Sequence, residues 1–133
     1  MLSNRNPMHI LLVDDDVLMR QVLGRWLIGA GIRTISEADD GEMALAVLEH
    51  IRPDLILTDY QMPRLDGIGL LRGLQARGRT IPVIMLSAQT DQSIIVAALK
   101  AGAHSYFPKP VQPVLLLERI WQILGPSHLA ASA

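Results

Sequence analysis

A chain of 133 residues, half of them hydrophobic, suits one domain with an ordinary core, and the absence of cysteine excludes disulfides, thiol catalysis and thiolate metal sites. The formal net charge of -1 offers no basic footprint for nucleic acid. No apolar run approaches the ~18 residues of a membrane span and no basic-then-apolar leader opens the sequence, so the expectation is a cytoplasmic protein with neither a membrane nor a direct nucleic-acid partner.

In chain order, residues 9–13 (HILLV) read as a buried strand. From Val17 the positions Leu18, Val22, Trp26 and Leu27 keep helical spacing until Ala30-Gly31 supplies a stop. A second strand is predicted at 32–36 and a second helix at 41–50, with Met43, Ala44, Val47 and Leu48 on one face and Pro53 beyond it. Residues 55–58 form a short apolar strand, and DYQMPRLDG is a loop by its proline, aspartates and glycine. A helix is predicted over 68–76, a strand over 83–86, a helix over 91–101 ending at Gly102, a strand over 105–107 and a last helix over 114–124. Residues 1–8 and 125–133 read as flexible ends around a single domain at 9–124.

Five strand-helix pairs in strict alternation, with strands apolar throughout, predict a parallel sheet covered by helices on both faces. In such sheets the functional crevice lies beyond the carboxyl ends of the strands. Those ends carry Asp14, Asp15 and Asp16 after the first strand, Asp59 after the third, Ser87 after the fourth and Lys109 after the fifth, while Glu37 follows the second at an expected edge. Asp16, Asp66 and Asp91 precede helices and read as caps or turn residues. Three adjacent acids exceed what one cap requires. Clustered carboxylates persist only if something neutralises them, and oxygen ligands suit Mg²⁺, so Asp14, Asp15 and Asp59 form a candidate metal site. His9, His50, His104 and His128 lack metal-type spacing. With a hydroxyl at Ser87 and a cation at Lys109, the set is equipment for a phosphoryl group, with one carboxylate as a possible nucleophile.

Two families place an aspartyl phosphate on such a sheet. Asp14 to Leu18 nearly fits the nucleophile motif of haloacid-dehalogenase-like phosphatases, with Ser87 and Lys109 as that family's later serine and lysine. The fit fails beyond Lys109, where the only acid is Glu118 inside a helix, and Asp59 is left without a role. The second family accounts for each residue. Through VDD at 13–15, LTDYQMPRLDG at 57–67, MLSA at 85–88 and FPKP at 107–110, the sequence resembles the receiver domain of two-component response regulators, of the stand-alone chemotaxis-regulator type. The resemblance implies a flavodoxin-like sheet in the order 2-1-3-4-5 and a signalling switch phosphorylated by a histidine kinase or histidine phosphotransfer protein. It makes Asp59 the phosphoacceptor and Asp14 and Asp15 the Mg²⁺-binding pair, completed by the main-chain carbonyl of Gln61. Ser87 becomes the switch hydroxyl, Lys109 the phosphoryl contact in a cis Lys109-Pro110 unit, and Tyr106 the aromatic that changes rotamer with phosphorylation. Such a domain assists its own phosphorylation and dephosphorylation but is otherwise no enzyme. The remaining alternative is an unphosphorylated receiver-like binding module, which typically lacks part of the acidic set. Among Val17, Leu18 and Met19 not all can face the core, and the resemblance makes the start of this helix the donor's docking surface. The apolar run 94–99, with the last strand and helix, is the expected output or dimer surface.

Overall fold

The computed structural model describes residues 8–89 and 91–125; the expected flexible ends at 1–8 and 125–133 lie almost wholly outside them. The elements are β1 (His9–Val13), α1 (Val17–Gly29), β2 (Thr34–Ala38), α2 (Gly41–Val47), β3 (Leu55–Asp59), α3 (Gly67–Ala76), β4 (Val83–Ser87), α4 (Gln92–Lys100), β5 (Ser105–Pro108) and α5 (Pro113–Leu124). The strands form one parallel sheet in the order β2-β1-β3-β4-β5, the flavodoxin-like arrangement with helices on both faces.

Alternation along each strand divides the core in two. Ile10, Leu12, Leu55, Leu57, Ile84 and Leu86 pack with Leu23 and Leu27 of α1 and with Leu116 and Ile120 of α5. Leu11, Val13, Ile56, Val83 and Met85 face the other way, onto Ala44 of α2, Leu70, Leu71 and Leu74 of α3, and Ala98 of α4. Because the three central strands bury both faces, they carry no polar alternation. Each such leucine side chain contributes about 2 kcal/mol through burial.

Four helices begin on aspartate. Asp16, Asp40, Asp66 and Asp91 each accept hydrogen bonds from backbone N–H groups of the first turn, and α5 starts on Pro113, which needs no such partner. Asp16 accepts from Leu18 at 2.9 Å, so the third of the successive acids caps α1.

Two elements, β2 and α2, depart from the sequence reading by more than one residue. The second strand begins at Thr34 instead of residue 32, because α1 ends in a tight reversal: Gly31 has φ 102° and the Ile32 N–H bonds back to the Leu27 carbonyl at 2.9 Å. Ile32 is therefore a buried capping contact, with its side chain against Leu27, before the strand starts. The second helix ends at Val47 instead of residue 50, because the following N–H groups of Glu49 and His50 reach only to Ala46 and Val47, tightening the chain into turns.

The β3–α3 loop is closed on itself and pinned to α2. Gly67 donates to the Tyr60 carbonyl at 2.8 Å, and a Cβ there would lie 2.7 Å from the Asp59 carbonyl. Gly41 donates to the Leu65 carbonyl at 3.0 Å, where a Cβ would come within 2.6 Å of the same oxygen. Both positions require the missing side chain. Arg64, at φ 70°, binds the capping carboxylate of Asp40 and ties the loop down a second time.

Candidate functional site

Sheet register brings the candidate residues together. Val13 pairs with Thr58, so the next residues, Asp14 and Asp59, leave adjacent strands side by side. Asp59 pairs with Leu86 and Leu86 with Phe107, which puts Ser87 one step and Lys109 two steps beyond that level. The carboxylates of Asp14, Asp15 and Asp59 each offer an oxygen within 4.8 Å of the others. Lys109 Nζ lies 3.2 Å from Asp14 Oδ2 and 3.3 Å from Asp59 Oδ2, and the Lys109-Pro110 bond is cis.

The three acids are held differently. Asp14 is 3 % exposed, with its Oδ1 accepting from the Asp16 N–H at 2.9 Å. Asp59 is half-buried, its Oδ1 accepting from the Tyr60 N–H at 2.8 Å. Asp15 is exposed, and among the described residues no hydrogen bond reaches its carboxylate. It lines an open cleft of about 440 Å³ with Gln61, Met62 and Asp66. Gln61 thus stands beside the acidic group, with its main chain in the loop that Gly67 closes.

Charge in this pocket does not balance. Burial, together with the charge of Asp14, pushes Asp59 above the ordinary carboxylate range, against the opposing pull of Lys109 and the Tyr60 N–H. Burial of Lys109 opposes its charge, but Asp14 and Asp59 outweigh that and hold the ammonium above its usual range. One ammonium faces three carboxylates. The excess negative charge and the all-oxygen donor set fit a small divalent cation. Among the described residues the histidines stand elsewhere: His9 bonds to Ser36 and His104 to Ser105, and His50 is exposed; His128 lies outside those residues.

Ser87 is 1 % exposed and its Oγ accepts from the Gln89 N–H at 3.0 Å. Tyr106, half-buried against the core, donates its hydroxyl to the Gln89 carbonyl at 2.6 Å. Around the pocket, Val17 and Leu18 are exposed, with Leu18 at 67 %, whereas Met19 packs against the core. On α4 only Ala98 is buried.

Sequence reasoning missed Gln89, Arg20 and the Asp40-Arg64 pair. Arg20 Nε bonds to Glu37 at 2.8 Å and its Nη1 to the Asp14 carbonyl at 2.5 Å. Glu37, on the edge strand β2, is thereby linked to the site: Leu12 pairs with Glu37 across β1 and β2, which brings its carboxylate within reach of α1. A basic residue one turn after the acidic run was the available signal.

The acidic pocket lies at the carboxyl ends of the paired strands β1 and β3, the switch point at which open parallel sheets of this order place their sites. Residues 10–121 match the response regulator receiver domain, and the chain belongs to that family. Response regulator MprA of Mycobacterium leprae is 42 % identical over 117 residues, covering 88 % of this chain and 51 % of its own length. The chain thus spans about half the length of these curated relatives. The receiver domain of a Francisella response regulator superimposes with a TM-score of 0.82 at 35 % identity, over 89 % of this chain and 96 % of that one. A Pseudomonas aeruginosa sensor histidine kinase receiver domain, described with a magnesium ion coordinated in its active site cleft, gives a TM-score of 0.80 at 32 % identity, over 90 % of this chain and 100 % of that one.

Proposed function

We propose that this chain is a phosphorylation-dependent switch in which Asp59 accepts a phosphoryl group from a phosphohistidine of a histidine kinase or phosphotransfer protein. The observation that carries the reading is the meeting of Asp59 with Lys109 at 3.3 Å and with two further carboxylates within 4.8 Å, at the end of the central strand. An Asp59 carboxylate oxygen attacks phosphorus as the phosphorus–nitrogen bond breaks to an imidazole ring protonated on its other nitrogen, leaving an acyl phosphate and a neutral imidazole. Lys109 holds one phosphoryl oxygen and the Ser87 hydroxyl donates to another. Asp14, Asp15, Asp59 and the Gln61 carbonyl would hold Mg²⁺, which would supply positive charge against the phosphoryl oxygens, a reading supported by the magnesium described in the Pseudomonas receiver. Asp14 is the poorer nucleophile: its side chain is 4 % exposed against 13 % for Asp59. Self-dephosphorylation aside, the domain is read as a switch and not an enzyme. Its signal leaves toward a protein target or a second copy through α4, β5 and α5.

Incubation with Mg²⁺ and acetyl phosphate should add one phosphoryl mass to the wild type and none to Asp59→Asn, read by intact-mass spectrometry. Equal labelling of the variant would remove Asp59 as the acceptor.

A further inference from the structure

Every polar atom of Asp14 is committed. Its N–H donates to the Ala38 carbonyl at 3.1 Å, Oδ1 accepts from Asp16, Oδ2 from Lys109, and its carbonyl accepts from Arg20 at 2.5 Å. Asp15 has no such anchors among the described hydrogen bonds, so the peptide between Asp14 and Asp15 sets the position of its Cα and with it the reach of its carboxylate. The side chain that grips that peptide is Arg20, through the carbonyl oxygen that belongs to it.

Arg20 is suited to this task in two ways. Its side chain is 14 % exposed, and its guanidinium divides its donors, Nη1 to Asp14 and Nε to Glu37 at 2.8 Å, in a planar fork that a lysine lacks. Glu37 also balances its charge, so Arg20 holds main chain without competing for the acidic pocket as Lys109 does. Three elements are joined by these two bonds: the end of β1, the first turns of α1, and β2.

We infer that Arg20 is a positioning residue for cation binding, which fixes the Asp14-Asp15 peptide so that both carboxylates face the same ion; the inference rests on the metal reading above. Residues behind a metal ligand typically change affinity by about 10-fold to 100-fold when removed. Calorimetric titration of the full chain with Mg²⁺ should therefore show Arg20→Ala binding about tenfold more weakly than wild type. Arg20→Lys, which keeps the charge and loses the fork, should fall between them, and Glu37→Gln should weaken binding less than Arg20→Ala. Acetyl phosphate labelling should need more Mg²⁺ in Arg20→Ala yet reach the wild-type rate at saturation. Urea unfolding in EDTA separates stability from affinity, and if Arg20→Ala does not fold, the Lys and Gln variants decide. Wild-type Mg²⁺ affinity in Arg20→Ala, or full affinity in Arg20→Lys, overturns the inference alone. A wild type that binds no Mg²⁺ overturns the metal reading as well.

Discussion

Ser87 and Tyr106 grip the two sides of one residue. The Gln89 N–H donates to Ser87 Oγ at 3.0 Å, and the Gln89 carbonyl accepts the Tyr106 hydroxyl at 2.6 Å. With the proposed phosphoryl group on Asp59, drawing the Ser87 hydroxyl toward it would free the Gln89 N–H and loosen the residue whose carbonyl holds Tyr106. Beryllofluoride, a phosphoryl mimic, should thus shift the amide resonances of Gln89 and α4, and in Ser87→Ala the shifts should stop at the pocket. Tyr106→Phe should lose about 1 kcal/mol of stability with the one hydrogen bond. Undiminished α4 shifts in Ser87→Ala would break this link.

Asp59 sits above the ordinary carboxylate range, burial being the first cause, so the folded chain binds its proton more tightly than the unfolded chain does. Stability contributed by the protonated form is lost as pH rises through that interval, and ionised Asp59 detracts from stability at neutral pH. Asp59→Asn should raise the urea midpoint at pH 7 in EDTA, and its advantage should close as pH falls below about 4. A variant no more stable than wild type at pH 7 would contradict the charge imbalance.

Asp40 is the opposite case. Burial works to raise it, but the Met43 N–H and Arg64 outweigh burial and hold it below the usual range. Its stabilisation is present above the ordinary carboxylate value and lost as pH falls through the depressed one. Asp40→Ala should cost about 1 to 2 kcal/mol at pH 7 through the lost cap of α2, measured by urea unfolding. That cost should shrink in acid.

Leu18 is 67 % exposed beside the pocket, where the partner's helices are proposed to dock. Leu18→Glu should change stability by no more than about 0.5 kcal/mol. Phosphotransfer from a histidine phosphotransfer protein should slow about tenfold or more, for the roughly 1.4 kcal/mol lost when an apolar contact is replaced by charge. Acetyl phosphate should label both proteins alike, and equal slowing with both donors would point to damage in the pocket instead.

Strand ends were legible because a doubly buried strand cannot hide a charge, so Asp14, Asp59 and Lys109 announced themselves against apolar runs. Helix starts were legible through Asp16, Asp66 and Asp91, which do locally what a cap must do. Ile32 misled because an apolar residue that caps one helix looks the same as one that opens a strand; only the backbone bond to Leu27 separates them. Arg20 and Glu37 are 17 residues apart and meet through strand register, which no local pattern encodes. Arg64 belongs to the same class, since its partner Asp40 is 24 residues away.

The single buried residue of α4 also sets how firmly that helix is held. Where α3 buries Gly67, Leu70, Leu71 and Leu74, α4 buries Ala98 alone, whose methyl group contributes little transfer free energy. Its amides should therefore exchange with deuterium through openings far smaller than global unfolding, while those of β1 and β3 wait for the whole domain. A segment so lightly attached responds to perturbations of one or two hydrogen bonds, the scale that a rearranged Gln89 supplies. Cheap detachment would let a change at the end of the sheet become a change of surface.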